Sequence, residues 1–200
     1  MLYLITNRHL IKRGNIYSVI SEAYRGGVDV VILREKDLSY NELLPIALKL
    51  RIIAHQYGKK LIINNCLKTA QVIKADFFHI GYESYLSRKL NLNNMPYGMS
   101  VHSIEEAIYA EQSHAQYILA SHIYPTKCKQ GLKPKGLQLI KAIKSQVKIP
   151  IIALGGINDN NIANVIQAGA SGVAVMSAIM GSLNPYLSAK CLKQTLLQSY

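Results

Sequence analysis

The chain has 200 residues, of which 50% are hydrophobic, and its 23 lysines and arginines outnumber its 11 aspartates and glutamates, giving a formal net charge of +12. This length and composition suit one domain over residues 1–200 with a substantial core. No apolar run approaches the roughly 20 residues that cross a bilayer, and the three cysteines lack the spacing of a zinc site or a disulfide framework. These features exclude membrane and disulfide-stabilised secreted proteins, so we expect a cytoplasmic protein with no membrane partner.

Short apolar runs alternate along the chain with segments of helical periodicity, an order typical of parallel βα units. These runs are rich in β-branched residues and almost continuously apolar, as expected of strands buried on both faces. They cover residues 2–5, 28–33, 60–63, 77–80, 97–101, 116–120, 151–154 and 172–175. Eight βα units predict a single (β/α)8 TIM barrel. The alternative, a doubly wound open sheet, would carry a Gly-rich turn after its first strand, where this chain reads Thr6-Asn7-Arg8-His9.

Helix boundaries are indicated between the predicted strands. Ser39 with Glu42 and Ser103 with Glu106 have the spacing of a capping box ahead of an apolar periodic segment. Glycines stand where several helices should end, at positions 26, 27, 58 and 169. The fourth unit is the weakest, because residues 85–94 are short, polar and rich in asparagine. We expect a single helical turn there, or none.

Polar residues recur where the predicted strands end, which is the functional face of this fold. Arg34 and Lys36 follow the second strand, and a guanidinium placed there can bind a carboxylate or phosphate with two hydrogen bonds. Ser100 and His102 end the fifth strand and are also expected to contact substrate. His122 follows the sixth, where an imidazole can take up and return a proton near neutral pH. His79 and His102 are weaker candidates, because each could simply hydrogen-bond a neighbouring loop.

Residues 151–177 predict a phosphate site. Two apolar runs end in small residues, the first at Gly155 and Gly156 and the second at Met176 and Ser177. Glycines let backbone N–H groups approach an anion, and the loops after strands 7 and 8 of such a barrel often hold one phosphate. The alternative is a pair of tight turns with no ligand. No metal-ligand spacing, nucleophile elbow or P-loop is present, so we expect no metal and no cofactor.

The positive charge could serve nucleic acid, an acidic surface or a phosphorylated small substrate. Tyrosines are spread through the chain and do not interleave with the basic residues, so we expect no nucleic-acid partner. Four lysines crowd residues 127–136, and Lys129 among them could help Arg34 to bind an anion. This segment could be a basic lid or a solvated loop, and Cys128 within it has no assigned role.

Three runs, LREK at 33–36, GMSVHS at 98–103 and IPIIALGGIN…AGASGVAVMSAI at 149–179, resemble the thiamine phosphate synthase and thiazole tautomerase superfamily. This resemblance covers nearly the whole chain. Synthases join a pyrimidine pyrophosphate to a thiazole phosphate, using magnesium held by aspartates of an NDR-type and a GQED-type motif. The matching stretches here read Asn64-Asn65-Cys66 and Gly81-Tyr82-Glu83-Ser84, so Asn65 and Ser84 replace both aspartates.

The run Ser121-His122-Ile123-Tyr124-Pro125-Thr126-Lys127-Cys128-Lys129 keeps the Pro-Thr of synthases but resembles the tautomerase branch in its histidine and its CKxGL. The resemblance implies a metal-independent thiazole tautomerase that aromatises a carboxylated thiazole phosphate, with His122 as the proton shuttle. One alternative is the synthase reaction, with weak magnesium binding through Asn65, Glu83 and the substrate pyrophosphate. Another is a non-catalytic regulator that binds a phosphorylated ligand. Barrels of this size often pair through outer helices, so a homodimer is expected.

Overall fold

The computed structural model describes residues 1–88, 90–92, 94–126 and 131–200. Eight parallel strands follow one another around a closed barrel, and the first pairs with the last. The predicted TIM barrel is confirmed. The strands are β1 Leu2–Ile5, β2 Val30–Leu33, β3 Lys60–Asn64, β4 Phe77–Gly81, β5 Tyr97–Val101, β6 Tyr117–Ser121, β7 Ile151–Leu154 and β8 Gly172–Val175.

Helices follow the strands and cover the outside of the barrel. They are α1 Ile16–Arg25, α2 Tyr40–Gln56, α3 Leu67–Val72, α4 Tyr82–Arg88, α5 Ile104–Gln112, α6 Gly136–Lys144, α7 Ile162–Gln167, α8 Ser177–Met180 and α9 Pro185–Gln198. Among the residues described, no helix combines the length and apolar character that crossing a membrane requires.

Several boundaries differ from the sequence prediction, and two of the differences have a clear physical cause. β2 begins at Val30 and not at Val28, because the Val28 N–H donates to the Ala23 carbonyl and so completes the end of α1. The fourth helix is longer than expected and starts earlier, over Tyr82–Arg88. Its Tyr85 ring stacks on the Tyr97 ring with centroids 5.4 Å apart, and this packing stabilises a helix that sequence propensity alone disfavours.

Alternate residues of each strand point into the barrel, as the period of two requires. Inward residues form an apolar cluster that is separate from the larger core between strands and helices, namely Tyr3, Ile5, Val30, Ile32, Ile62, Tyr117, Leu119, Ile152 and Ala174. The Tyr117 ring lies across the interior against Tyr3, Phe77 and His79. Gly98 makes room for it, since a Cβ at that position would lie 2.1 Å from the ring.

Candidate active site

A cavity of about 650 Å³ opens at the carboxyl ends of the strands, and all eight βα units contribute to its wall. The period of two explains which residues reach it. Counting on from the inward residues Ile32, Phe77 and Leu119 leads to Arg34, His79 and Ser121, and all three line the cavity. The sequence thus places polar side chains above an apolar floor.

The structure brings most of the predicted site residues together around this cavity. The residues of the predicted site that line it are Arg34, Lys36, Ser100, His102, His122, Gly155, Gly156, Met176 and Ser177. Lys129 and Cys128 lie outside the described residues. These residues share one cavity, and the role of each in binding or catalysis remains a prediction.

Gly155 and Gly156 have left-handed backbones, with φ of 104° and 65°. A Cβ on Gly155 would lie 2.4 Å from the His122 Cβ, and one on Gly156 would lie 2.4 Å from the Pro125 carbonyl oxygen. Contact with the loop after β6 therefore requires glycine here, whether or not a ligand binds. Among the residues described, nothing accepts a hydrogen bond from either glycine N–H, so the same turn leaves two donors at the cavity.

Met176 and Ser177 continue this wall after β8. Ser177 begins α8, a helix of four residues, and the N–H groups of a first helical turn have no partner within the helix. Together with the glycine turn, they make one side of the cavity rich in backbone donors. Such a surface suits a phosphate group.

Arg34 and Lys36 form the cationic side of the cavity after β2. Glu35 lies between them in sequence but is buried, and its carboxylate accepts hydrogen bonds from the Arg8 backbone and guanidinium at 3.1–3.2 Å. Arg8 also pairs with Asp37, and this pairing lowers the pKa of Asp37 well below its usual value. Glu35 and Asp37, the two acidic residues next to Lys36 in sequence, therefore both form ion pairs with Arg8.

His79 lies within a buried hydrogen-bond chain. Its Nδ1 is 2.8 Å from the Tyr117 hydroxyl and its Nε2 is 2.8 Å from Ser100 Oγ. Burial, assisted by the nearby charge of Arg34, lowers the pKa of His79 to about 3, so the ring is neutral. Burial also raises the pKa of Tyr117 well above its usual value, so the phenol keeps its proton.

The donor and the acceptor of each hydrogen bond between Tyr117, His79 and Ser100 follow from the groups present. The Tyr117 hydroxyl has no second partner in the part of the chain that the structure describes, so it donates to His79 Nδ1. The proton of the neutral ring is then on Nε2, which donates to Ser100 Oγ. Ser100 therefore accepts from His79, and its own O–H is left to donate into the cavity.

His122 and His102 line the neighbouring wall and contact other residues. His122 is 4% exposed, and its Nε2 lies 3.3 Å from the Leu132 carbonyl oxygen. Because a carbonyl only accepts, Nε2 donates in this contact. His102 Nδ1 lies 3.5 Å from Glu106, and its Nε2 lies 3.4 Å from Ser121 Oγ.

The wall after β3 and β4 carries Asn64, Asn65 and Ser84, all of them neutral. Glu83 is exposed on α4 and does not line the cavity. No aspartate or glutamate is found among the described residues that line it. No group of three or more histidine, cysteine, aspartate or glutamate side chains in the described ranges could hold a metal ion.

Sequence reasoning missed several residues of this cavity. Asn7, Ser121 and Thr126 line it but were not singled out as site residues. For Asn7 and Ser121 the signal was present, since each continues the inward alternation from Ile5 and Leu119. The role of Tyr117 could not be foreseen, because its contact with His79 joins residues 38 positions apart.

Thiamine phosphate synthases are found among the relatives of this chain both by sequence and by structure. The family described as "Thiamine monophosphate synthase" matches residues 2–179. A thiamine-phosphate synthase of Clostridium acetobutylicum is 40% identical over 90% of this chain and 87% of its own. One from Alkaliphilus oremlandii is 33% identical over 98% of this chain and 95% of its own. A solved structure, "Thiamine phosphate pyrophosphorylase from Pyrococcus furiosus", covers 99% of this chain and 96% of its own, with 29% identity and a TM-score of 0.86.

These relatives show that the predicted thiazole tautomerase is wrong. That prediction gave decisive weight to Asn65, Ser84, His122 and the CKxGL run over residues 128–132, whereas the identity to synthases extends over nine-tenths of the chain. His122 also has a structural reason to be present, since its Cβ packs where a side chain on Gly155 would lie and its ring contacts Leu132. Whether His122 contributes to catalysis in another way stays a prediction. The chain belongs to the thiamine monophosphate synthase family, within the superfamily that its motifs resemble.

Proposed function

We propose that the protein is a thiamine phosphate synthase, a transferase of thiamine biosynthesis that joins a pyrimidine pyrophosphate to a thiazole phosphate. The observation that carries the proposal is the identity of 33–40% to thiamine-phosphate synthases over 90–98% of the chain. The family match over residues 2–179 also spans every segment that lines the cavity, and this extent supports a shared reaction.

The cavity supports this assignment because each of the two substrates carries an anionic group. Gly155, Gly156 and Ser177 offer backbone and hydroxyl donors to the thiazole phosphate. Arg34 and Lys36 offer positive charge to the pyrophosphate. β1 alone stands between β2 and β8 in the barrel, so the two anion-binding sides lie close to one another along the rim.

The floor between these two sides suits flat heterocycles. Ile5, Ile32, Leu119 and Ala174 line the cavity with apolar side chains. Above them, Ser100 donates its hydroxyl hydrogen to an acceptor nitrogen of the pyrimidine. Because Ser100 accepts from His79, which in turn accepts from Tyr117, the Ser100 hydroxyl acts as a donor toward the cavity. This favours a ligand with a lone pair opposite Ser100.

The reaction breaks the bond between the pyrimidine methylene carbon and the pyrophosphate oxygen, and the pyrophosphate leaves with the electron pair. The thiazole ring nitrogen supplies its lone pair to the new carbon–nitrogen bond. No proton moves to or from carbon, so His122 is needed for position and not as a base. We assign it to the wall of the cavity, where its Nε2 donates to the Leu132 carbonyl.

The chain's own residues accelerate this step by holding the two substrates together and by stabilising charge on the leaving group. The donors of the cavity do not fit a magnesium ion held by protein carboxylates, because Asn65 and Ser84 are neutral and no described acid lines the wall. The assignments above therefore use only Arg34, Lys36 and neutral donors.

The test is direct synthesis. The purified protein is incubated with the pyrimidine pyrophosphate and thiazole phosphate, with magnesium chloride or with EDTA, and thiamine phosphate and pyrophosphate are quantified. We expect both products in equal amounts and a rate that is proportional to enzyme concentration. Tight binding of thiazole phosphate with no product in either condition would refute the transferase and indicate a non-catalytic binding protein.

A further inference from the structure

The wall after β3 and β4 combines neutral side chains with a neighbouring pair of cations. Asn65 and Ser84 line the cavity, as do Arg34 and Lys36 after β2, and β2 pairs directly with β3. Two positive charges therefore face a cavity whose described lining contains no negative charge. The formal net charge of +12 adds a favourable background for polyanions.

Asn65 and Ser84 differ from carboxylates in what they can do with a phosphate. An asparagine amide has two N–H donors and a serine one O–H, whereas an ionised carboxylate only accepts. No hydrogen bond joins either side chain to another residue within the described ranges. A Cβ at Gly81 would meet nothing within 4 Å, so this wall offers open space as well as donors.

The backbone holds Asn65 in place at the rim. Its φ is 64°, its N–H donates to the His79 carbonyl at 2.8 Å, and its own carbonyl accepts from Arg88 at 3.1 Å. Asparagine tolerates this left-handed conformation better than most residues. Asn65 is therefore fixed by its main chain, and its amide is left for a ligand.

Electrostatics also favours binding of an anion at this wall without a metal ion. Two aspartates at these positions would repel a pyrophosphate unless a divalent cation lay between them. Replacing both by an amide and a hydroxyl removes the ligands of the cation together with the repulsion that the cation would offset. With Asn65 and Ser84 at these positions, a pyrophosphate can therefore approach the wall without a cation to offset repulsion.

We infer that the cavity binds the pyrophosphate group directly, through Arg34, Lys36, Asn65 and Ser84, without a divalent cation held by protein side chains. This inference deepens the proposed synthase function and rests on it for the identity of the ligand. It assigns to Asn65 and Ser84 the part of hydrogen-bond donors, where the family resemblance implies metal ligands.

The first test measures binding of inorganic pyrophosphate to the full chain by isothermal titration calorimetry, in EDTA and in excess magnesium. We expect binding in EDTA, with affinities in the two conditions that differ by less than about tenfold, because protein cations and donors supply the attraction. An affinity in magnesium higher by about tenfold or more, or no binding in EDTA, would overturn the inference.

Variants then test the two neutral residues. The double variant Asn65→Asp with Ser84→Asp should bind pyrophosphate at least about tenfold more weakly in EDTA and regain affinity in magnesium. The matched control, Gln71→Glu with Gln198→Glu, adds the same two charges at exposed positions on α3 and α9 and should bind as the parent does. Unchanged binding by the aspartate variant in EDTA would contradict the assignment.

A neutral variant covers the case in which the aspartates prevent folding. Asn65→Gly with Ser84→Ala removes both donors, and glycine accepts the φ of 64° without strain. We expect pyrophosphate affinity in EDTA to fall at least about tenfold, because two hydrogen bonds to a charged group are lost. Parent-like affinity would overturn the part assigned to these side chains.

The synthase assay separates this inference from the proposed function. Pyrophosphate binding in EDTA without formation of thiamine phosphate would refute the function and support the metal-free site. Formation of thiamine phosphate together with pyrophosphate binding that requires magnesium would support the function and overturn the metal-free site.

Discussion

Carboxylates at the amino ends of the strands accept hydrogen bonds from the chain itself, whereas none lines the cavity at the carboxyl ends among the residues described. Asp29 accepts from the Leu2 N–H at 2.8 Å and from Lys193 at 2.6 Å. Asp76 accepts from the Leu61 N–H at 2.8 Å and from Arg51 at 2.5 Å. In this fold the amino end serves stability and the carboxyl end serves function. The carboxylates Asp29 and Asp76 at the amino end are therefore bonded within the protein, whereas the carboxyl end presents Arg34 and Lys36 to the cavity.

The largest effect on stability is expected when glycine is replaced at the carboxyl end of the barrel. Two glycines with similar backbone conformation, one at each end, allow the comparison. Gly156 in the wall of the cavity and Gly58 ahead of β3 have φ of 65° and 62°. A Cβ on Gly156 would meet the Pro125 carbonyl oxygen at 2.4 Å, whereas one on Gly58 would meet nothing within 4 Å. We expect Gly156→Ala to lower the free energy of unfolding by about 3 kcal/mol, because overpacking adds to left-handed strain.

The control isolates the strain. Gly58→Ala should lower the free energy of unfolding by only about 1 kcal/mol, since the left-handed backbone is its single cost. Urea unfolding of both variants gives the difference. Equal losses would mean that the loop after β6 moves aside freely and that Gly156 is not fixed by packing.

Cations of the two ends provide the second test. We expect Arg34→Gln to lower kcat/KM for the pyrimidine pyrophosphate about 100-fold, equivalent to about 2.7 kcal/mol, because a charged contact to the leaving group is lost. Stability should change little. The pKa of His79 should rise above about 3, since Arg34 is the second cause of its depression after burial, and NMR titration of the ring measures this.

Lys193 is the counterpart of Arg34 at the amino end. Lys193→Gln should lower the free energy of unfolding by about 1 kcal/mol through loss of its bond to Asp29 and leave kcat/KM unchanged. If instead Lys193→Gln reduced activity and Arg34→Gln reduced stability, the division between the two ends would be refuted.

A smaller effect on stability and activity is expected from the buried hydrogen bonds that join Tyr117, His79 and Ser100. Tyr117→Phe keeps the ring but removes the donor to His79 Nδ1, so we expect about 1 kcal/mol less stability and about tenfold lower kcat/KM as Ser100 loses its fixed direction. The ¹⁵N shifts of His79 should report a changed tautomer. Tyr24→Phe is the control, because its hydroxyl donates to the Lys60 carbonyl at 2.9 Å away from the cavity, and it should lose stability alone.

Much of this architecture could be predicted from local sequence. Strand bounds agree within two residues, because buried parallel strands read as continuous apolar runs between glycines and caps. The alternation from Ile32 to Arg34 and from Phe77 to His79 likewise gave side chains that face the cavity. These features depend on residues close together in the chain.

The features that could not be predicted depend on contacts between residues distant in sequence. The branch assignment depended in addition on how much weight single positions received. Glycine is required at 155 and 156 by contact with residues 122–125, some 30 residues earlier in the chain, whether or not a ligand binds. The fourth helix is stabilised by Tyr85 packing on Tyr97. The branch assignment was wrong because a few changed positions were given more weight than similarity over nine-tenths of the chain.

The smallest effect concerns pH and the amino end of the barrel. Burial raises the pKa of the Asp29 carboxyl, but hydrogen bonds from Lys193 and the Leu2 N–H outweigh burial and lower it below the ordinary 3.8. A lowered folded-state pKa means that the ionised carboxylate stabilises the fold above pH 3.8, and that this contribution is lost as pH falls through the folded pKa. We expect Asp29→Asn to cost about 1 kcal/mol at pH 7 and progressively less below pH 4. Urea unfolding of parent and variant from pH 7 to pH 3 measures the difference, and a difference that stays constant over this range would show that the charge of Asp29 does not stabilise this end.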